Sequence, residues 1–274
     1  VHYLYIFHAL LSTHSIYRYG AFDSYDTIFC TGNQQMVEIR ETEKKYNLPK
    51  KNLYKDGYRP LEFLINENKF HQKKANTGLK ILIAPTWGEN NIFNFCMNEL
   101  IENLVTAEHQ IYLRPHPMTI RDDYKKIDDI KKIFSNKENF FLQENHTNRD
   151  ILFESDILIT DWSGIGIEYG LGLLKPVIYI DIPKKNLNHE SNKINITPIE
   201  SKIRNEIGAL VKIDDIHKID KIIKEVIVKQ KKDDLERLRE QYVFIKDDGL
   251  EKSAKRVVSI ANACRSRNYN NNIL

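Results

Sequence analysis

The residues with the clearest chemical potential sit where apolar runs stop. In "DILITDWSGIGIEYG", residues 156–170, a buried-strand pattern ends at Thr160 and turns through Asp161, Trp162, Ser163 and Gly164 into a second apolar stretch. Ser163 is a good N-cap residue, and the first N–H groups of a helix starting there point outward, with the positive end of the helix dipole behind them. Such a corner receives an anion, and Gly164 allows a phosphate to come close to the backbone. Glu168 lies deeper in the same helix and is placed to accept from a ribose. The plainer alternative makes Ser163 only a cap and Asp161 only a turn residue.

Two further corners have related chemistry. In "YLRPHPMT" the prolines on either side of His116 hold an extended loop and fix the direction of the imidazole. His116 can donate to a phosphoryl oxygen or move a proton, and Arg114 offers a permanent positive charge. In "LIAPTWGENN", Thr86 and Trp87 leave a buried run and precede a helix start near Asn90 or Asn91. Near the beginning, "HALLSTHSIYRYG" gathers His14, Tyr17 and Arg18 after an apolar run, with His8 closer to the run itself. A structural histidine is the competing reading at His116, a surface loop histidine at His14, and simple packing at Trp87.

To work together, these residues need a scaffold that opens several strand ends on one edge. The spacing predicts strands at 1–7, 26–30, 79–84, 110–114, 139–143, 156–160 and 176–181. Helices are expected near 33–46, 91–108, 121–135, 148–154, 164–173 and 215–245. Short apolar strands alternating with amphipathic helices predict an α/β protein with parallel sheets covered on both faces. Ligands of such sheets bind beyond the carboxyl ends of the strands. The polar, lysine-rich stretch 65–77 reads as a linker between a first lobe, 1–64, and a second, 78–246. Residues 247–274 read as a terminal helix with a frayed Asn-rich tail. The first lobe shows too few strands for a doubly wound sheet and the chain starts at Val1, so preceding sequence is expected.

Composition narrows the partners. A net charge of +3 with 29% charged residues argues against a duplex nucleic-acid binder. Three cysteines, Cys30, Cys96 and Cys264, are too scattered for a paired metal or redox motif and suit a reducing compartment. "VHYLYIFHALL" is short of the roughly 20 apolar residues of a membrane span and lacks the basic start of a secretory signal. No acid pair of the DxD type stands at a strand end, so neither a metal nor a cofactor is expected.

Taken in order, "HSIYRYGAFDSYDTIFCTG", "ILIAPTW", "LRPHP", "DILITDWSGIGIEYGLGLLKPVIYID" and "DDGLEKSAKRVV" resemble the CDP-glycerol glycerophosphotransferase family of teichoic acid and capsule polymer synthesis. The resemblance implies a GT-B arrangement of two Rossmann-like lobes, with the N-terminal one incomplete here. It implies transfer of glycerol-phosphate or ribitol-phosphate from a CDP-alditol to a hydroxyl of a lipid-linked or polymer acceptor, with release of CMP. His116 corresponds to the donor-phosphate histidine, Ser163 and Gly164 to the phosphate turn, Asp161 to the turn acid and Glu168 to the ribose acid. Thr86, Trp87 and Arg114 join them on the donor side. His14 resembles the acceptor's base, although the family's His-Gly-Thr is His-Ser-Ile here, and His8 is its rival. "DGYRPLEF" resembles the exit from the first lobe with Pro and Arg exchanged. A cytoplasmic location with peripheral membrane contact follows from such an acceptor, and lysines in 184–193 and 218–232 are its candidate contacts, against the reading of solvated helix faces.

Two other readings stay open at this stage. "TDWSGIGIE" also resembles the corresponding corner of UDP-N-acetylglucosamine 2-epimerases, which share the two-lobed fold. A non-catalytic nucleotide-binding lobe of a larger polymer synthase is the third.

Overall fold

The computed structural model describes residues 1–71, 78–184, 187–245 and 249–271. Its contacts divide the chain into two units. One comprises Val1–Glu62, Asn186–Pro198 and Glu240–Leu274, the other Phe63–Lys185 and Ile199–Arg239.

In the first unit, strands β1 (Leu4–Ile6), β2 (Thr27–Cys30) and β3 (Asn52–Lys55) form a parallel sheet in the order β1-β2-β3. Central β2, "TIFC", is buried along its whole length, as a strand covered on both faces must be. Phe7, Ile28, Cys30 and Ile39 form its core, with Tyr5, Tyr17, Phe22 and Tyr25 packed at the margin. The helix Asn33–Tyr46 ends at Asn47 in the left-handed region, φ 52°, a conformation asparagine tolerates better than most residues. Strand β3 was absent from the sequence expectation. It is an edge strand with a half-exposed "NLYK", too short and polar to show a period.

The second unit holds β4 (Lys80–Ile83), β5 (Gln110–Leu113), β6 (Phe140–Leu142), β7 (Ile157–Thr160), β8 (Val177–Asp181) and β9 (Gly208–Lys212). All pair in parallel, in the order β6-β5-β4-β7-β8-β9. Numbered within the unit this is 3-2-1-4-5-6, the doubly wound order of dinucleotide-binding folds, with its switch point between β4 and β7. Helices cover the sheet through apolar stripes at helical spacing: Met97, Leu100, Ile101 and Leu104, then Ile127, Ile130 and Phe134, then Ile219, Ile223 and Val226. Each fully buried aliphatic side chain of this kind contributes about 1.5–3 kcal/mol. The second edge strand, β9, was also missed, because "GALVK" opens on glycine. Gly208 is required there: a Cβ would lie 1.7 Å from the Val177 carbonyl oxygen of β8.

Several boundaries differ from expectation. The helix Arg59–Asn68 runs through the start of the expected 65–77 linker, while 72–77 lie outside the described residues. Residues 187–198 and 240–245, assigned to the second lobe by linear order, group with the first unit. The segment 215–245 is broken into a 3₁₀ stretch and two helices, Ile219–Lys229 and Lys232–Tyr242. The final helix, Gly249–Asn271, extends into the expected tail, and 272–274 lie outside the described residues.

Candidate functional site

The switch point brings the three sequence corners together. Strand β4 leads to Thr86 and Trp87, its neighbour β5 to His116, and its other neighbour β7 to Asp161–Gly164. Bonds at the strand ends lock them: Arg114 N–H donates to Ile83 O at 2.8 Å, Ala84 N–H to Ile159 O at 3.0 Å, and Thr160 Oγ1 to Ala84 O at 2.6 Å. The rings of Trp87 and His116 lie 6.1 Å apart. A cavity of ≈ 290 Å³ opens beside them, lined among others by Trp87, Asn91, Met118 and Thr119.

Asp161, expected among the donor contacts, is instead fully buried. Its Oδ1 accepts from Thr86 N–H at 2.8 Å and its Oδ2 from Ile92 N–H at 3.0 Å, so the carboxylate clamps the β4 loop to the β7 corner. Burial pushes its carboxyl up to about 6, against the lowering effect of the N–H groups of Thr86, Ile92 and Trp162 and of Arg204. A raised folded-state value means that the group favours the fold fully below its unfolded value of 3.8 and loses that contribution as pH rises through about 6. Asp161→Asn is therefore expected to change in stability relative to wild type by on the order of 2–3 kcal/mol between pH 4 and 7. Urea unfolding of both proteins at several pH values checks this; parallel pH profiles would sink it.

At the helix start the N-cap is Gly164, not Ser163, and no side chain caps it. Gly166 N–H donates to Ser163 O at 3.2 Å, and the N–H groups of Ile167 and Glu168 turn to Gly164 O. The donors left over by the helix are those of Gly164 and Ile165. Ser163 and Glu168 are half-buried beside them. Gly166 has to be glycine, because a Cβ would come 2.5 Å from the buried Tyr179 hydroxyl.

Beneath this turn lies a residue that sequence reasoning missed. Arg204 is 4% exposed, stacks its guanidinium 4.0 Å from the Trp162 ring, and donates from Nη2 to Ile180 O at 3.0 Å. Asp181 is 3.7 Å from Nη1, and Nε has no hydrogen-bond partner among the described residues. Burial lowers the guanidinium's pKa against the pull of Tyr179, Asp181 and Asp161. Trp162 donates its indole N–H to Ile182 O at 3.0 Å. The Arg204 stack and this bond hold the residue immediately before Ser163, and they keep a positive charge near the anion corner. Nothing in "ESKIRNEIG" separates Arg204 from the solvated cations around it.

His116 is the N-cap of the helix Pro117–Asp122, and its Nδ1 accepts from Met118 N–H at 3.1 Å. That bond assigns the proton of the neutral ring to Nε2, which becomes the donor. Arg114 is directed elsewhere than expected. Its Nη1 donates to Asn148 O at 2.7 Å and its Nη2 to His146 O at 3.1 Å, bracing the loop before the helix Asp150–Glu154. Burial, followed by the charge of Arg149, lowers its pKa.

In the first unit the two candidate histidines differ. His8 is exposed just beyond the carboxyl end of β1, with Nδ1 3.2 Å from the Tyr5 hydroxyl. His14 is 4% exposed; its Nε2 lies 3.1 Å from Ile196 O and its Nδ1 3.6 Å from Glu38 Oε2. Glu38 is held in turn by the N–H and hydroxyl of Thr13, and Asn188 Nδ2 donates to His14 O at 2.8 Å. His14 thus joins the 187–198 segment to the helix Asn33–Tyr46, at the wall of a concavity that Arg18, Tyr19 and Tyr46 also line.

Among the described residues, no three His, Cys, Asp or Glu side chains converge in a metal-holding group, and no helix is long and apolar enough to cross a membrane. The three cysteines are free, and burial pushes the thiols of Cys30 and Cys96 up to about 12. Of the lysines considered as lipid contacts, Lys193, Lys218 and Lys224 are paired with Glu190, Asp215 and Asp220.

A doubly wound lobe with a helix start and a histidine loop flanking its switch point defines an α/β protein, and solved structures place its fold in the GT-B class. The wall teichoic acid polymerase TagF is similar with a TM-score of 0.52 at 13% identity, over 86% of this chain and 58% of that one. A UDP-GlcNAc 2-epimerase from Neisseria meningitidis is similar with a TM-score of 0.54 at 14% identity, over 90% of this chain and 68% of that one. Both share the fold, so the fold alone does not separate transferase from epimerase. Residues 19–259 match the family model of CDP-glycerol:poly(glycerophosphate) glycerophosphotransferase, and the chain belongs to that family. The teichoic acid glycerol-phosphate primase of Bacillus subtilis (strain 168) is 29% identical over 169 residues, 58% of this chain. The chain spans 40% of that relative's length.

Proposed function

We propose that this chain transfers an alditol-phosphate, glycerol-phosphate or ribitol-phosphate, from a CDP-alditol to a hydroxyl of a lipid-linked or polymer acceptor. Family membership and the convergence of His116, Trp87 and the Gly164 helix start on the switch point support this reading; that convergence is the observation that carries it. The N–H groups of Gly164 and Ile165 receive the pyrophosphate, and Glu168 accepts from the ribose. Trp87 lines the wall next to His116, and Thr86 shapes that wall through its bond to Asp161. The acceptor oxygen attacks the β-phosphorus; a new P–O bond forms, the bond to the bridging oxygen breaks, and CMP leaves with that oxygen. His116 Nε2–H donates to the phosphoryl group as charge develops, a role commonly worth several kcal/mol of barrier. His8, rather than the enclosed His14, takes the proton of the acceptor hydroxyl. An acceptor of this kind puts the reaction on the inner face of the cytoplasmic membrane.

The reading predicts that CDP raises the thermal midpoint more than UDP, and that CMP appears when CDP-glycerol or CDP-ribitol meets a poly(glycerol phosphate) acceptor. Preferential stabilisation by UDP would move the chain to the epimerases. Binding of CDP without CMP release from any donor would leave a non-catalytic nucleotide-binding lobe.

A further inference from the structure

The first unit carries a concave surface of its own, away from His8 and His14. A groove of ≈ 650 Å³ lies between the carboxyl end of β3, with Tyr54 and Lys55, and the helix Gly249–Asn271, with Lys252, Lys255, Arg256 and Ser259. The helix residues are spaced i, i+3, i+4 and i+7, so they share one face. The half-buried side of this helix carries Ser253, Val257 and Ile260, while Lys252, Lys255, Arg256 and Ser259 stand on the exposed side that borders the groove. Arg256 stacks 4.4 Å from the centre of the Tyr54 ring, and Lys55 Nζ lies 5.3 Å from that of Phe244. Aromatic faces orient these cations without using their hydrogen-bond donors.

Among the described residues lining the groove, four are basic, Lys55, Lys252, Lys255 and Arg256, and one is acidic, Asp56. Asp56, the one carboxylate lining the groove, is buried and bonded to Arg59 and the Ser253 hydroxyl. Arg59 also pairs with Glu62. Lys255 pairs with Glu251 at 2.5 Å, but both side chains are exposed, and an exposed pair one helical turn apart is weak enough to exchange for a phosphate. The position in the sheet is as informative as the charge. Ile6 of β1, Phe29 of β2 and Tyr54 of β3 are in register, so His8 and Lys55 emerge on the same sheet edge, two strand spacings or roughly 10 Å apart.

We propose that this groove binds the phosphodiester backbone of the acceptor, holding phosphates of repeat units behind the terminal hydroxyl presented at His8. The proposal rests on the transferase reading above. An anionic membrane is the competing polyanion, but the surface is a groove containing serine and tyrosine, with no projecting apolar stripe to enter a bilayer. A polymer acceptor longer than one or two units gains contacts here that a short acceptor cannot reach.

The test compares the whole chain with a Lys252→Glu, Arg256→Glu variant, using poly(glycerol phosphate) acceptors of defined length. In the wild type, KM for the acceptor is expected to fall with length and to rise with salt. In the variant, KM for long acceptors is expected to rise about tenfold and its length dependence to disappear, while turnover of the shortest acceptor and KM for the donor stay unchanged. Retention of the length dependence would overturn the proposal. So would a loss of binding to vesicles rich in anionic phospholipid with no change toward polymer. A calorimetric titration with the polymer alone separates the two readings. Binding that depends on Lys252 and Arg256 without CMP release upholds the groove and removes the transferase reading, whereas CMP release with equal polymer binding by both proteins does the reverse.

Discussion

His116→Ala is expected to reduce CMP release by about 10²- to 10³-fold, the cost of removing one oriented donor from developing transition-state charge. The alanine variant also removes an N-cap, so some of its effect would come through the loop. His116→Asn separates the two effects. Asparagine is a favourable cap and can accept the Met118 N–H bond that His116 Nδ1 accepts at 3.1 Å, but it lacks the Nε2–H. The asparagine variant should therefore keep the thermal midpoint and CDP affinity of the wild type and still lose most of kcat. Single-turnover measurement with saturating CDP-glycerol checks this. An asparagine variant that turns over like the wild type would remove His116 from the reaction and leave it as a capping residue.

The second large effect separates His8 from His14. His8→Ala is expected to lower kcat by about 10²- to 10⁴-fold, the range of a general base, with donor affinity unchanged. His14→Ala should act on stability instead. It empties a buried site and leaves the Ile196 carbonyl and one side of Glu38 without the ring that faces them, a loss of about 3 kcal/mol. Thermal unfolding and the pH dependence of kcat distinguish the two. If His14→Ala kept its midpoint and lost the basic group's limb of the pH profile, the assignment would be reversed.

The two histidines also show where a linear reading stops. "LSTHSIYRYG" presents His14 in a polar setting that suggests a free base, but the residues that bury it, Asn188 and Ile196, arrive from more than 170 positions away. Likewise, Arg114 and Asp161 are read from the sequence as donor contacts, and in the structure both bond backbone groups of neighbouring loops. Their partners, the carbonyls of His146 and Asn148 and the N–H groups of Thr86 and Ile92, belong to other loops. Strands β3 and β9 escaped for a different reason. At a sheet edge one side of the strand is open, so "NLYK" and "GALVK" need no continuous apolar run.

By itself, the sequence determined the parallel α/β character, the seven more apolar strands and the position of each corner. Burial on both faces writes continuous Ile, Leu and Val runs into the chain, and the end of each run marks a strand's carboxyl end. The family resemblance was carried by the same corners. Only the tertiary structure decided which corner residues face the ligand side and which face inward. It placed β4 between β5 and β7, turned Asp161 into a clamp, set Arg204 under Trp162 and enclosed His14. A polar side chain has the same local signature whether its partner is a substrate or a distant backbone group, and only the folded chain supplies that partner.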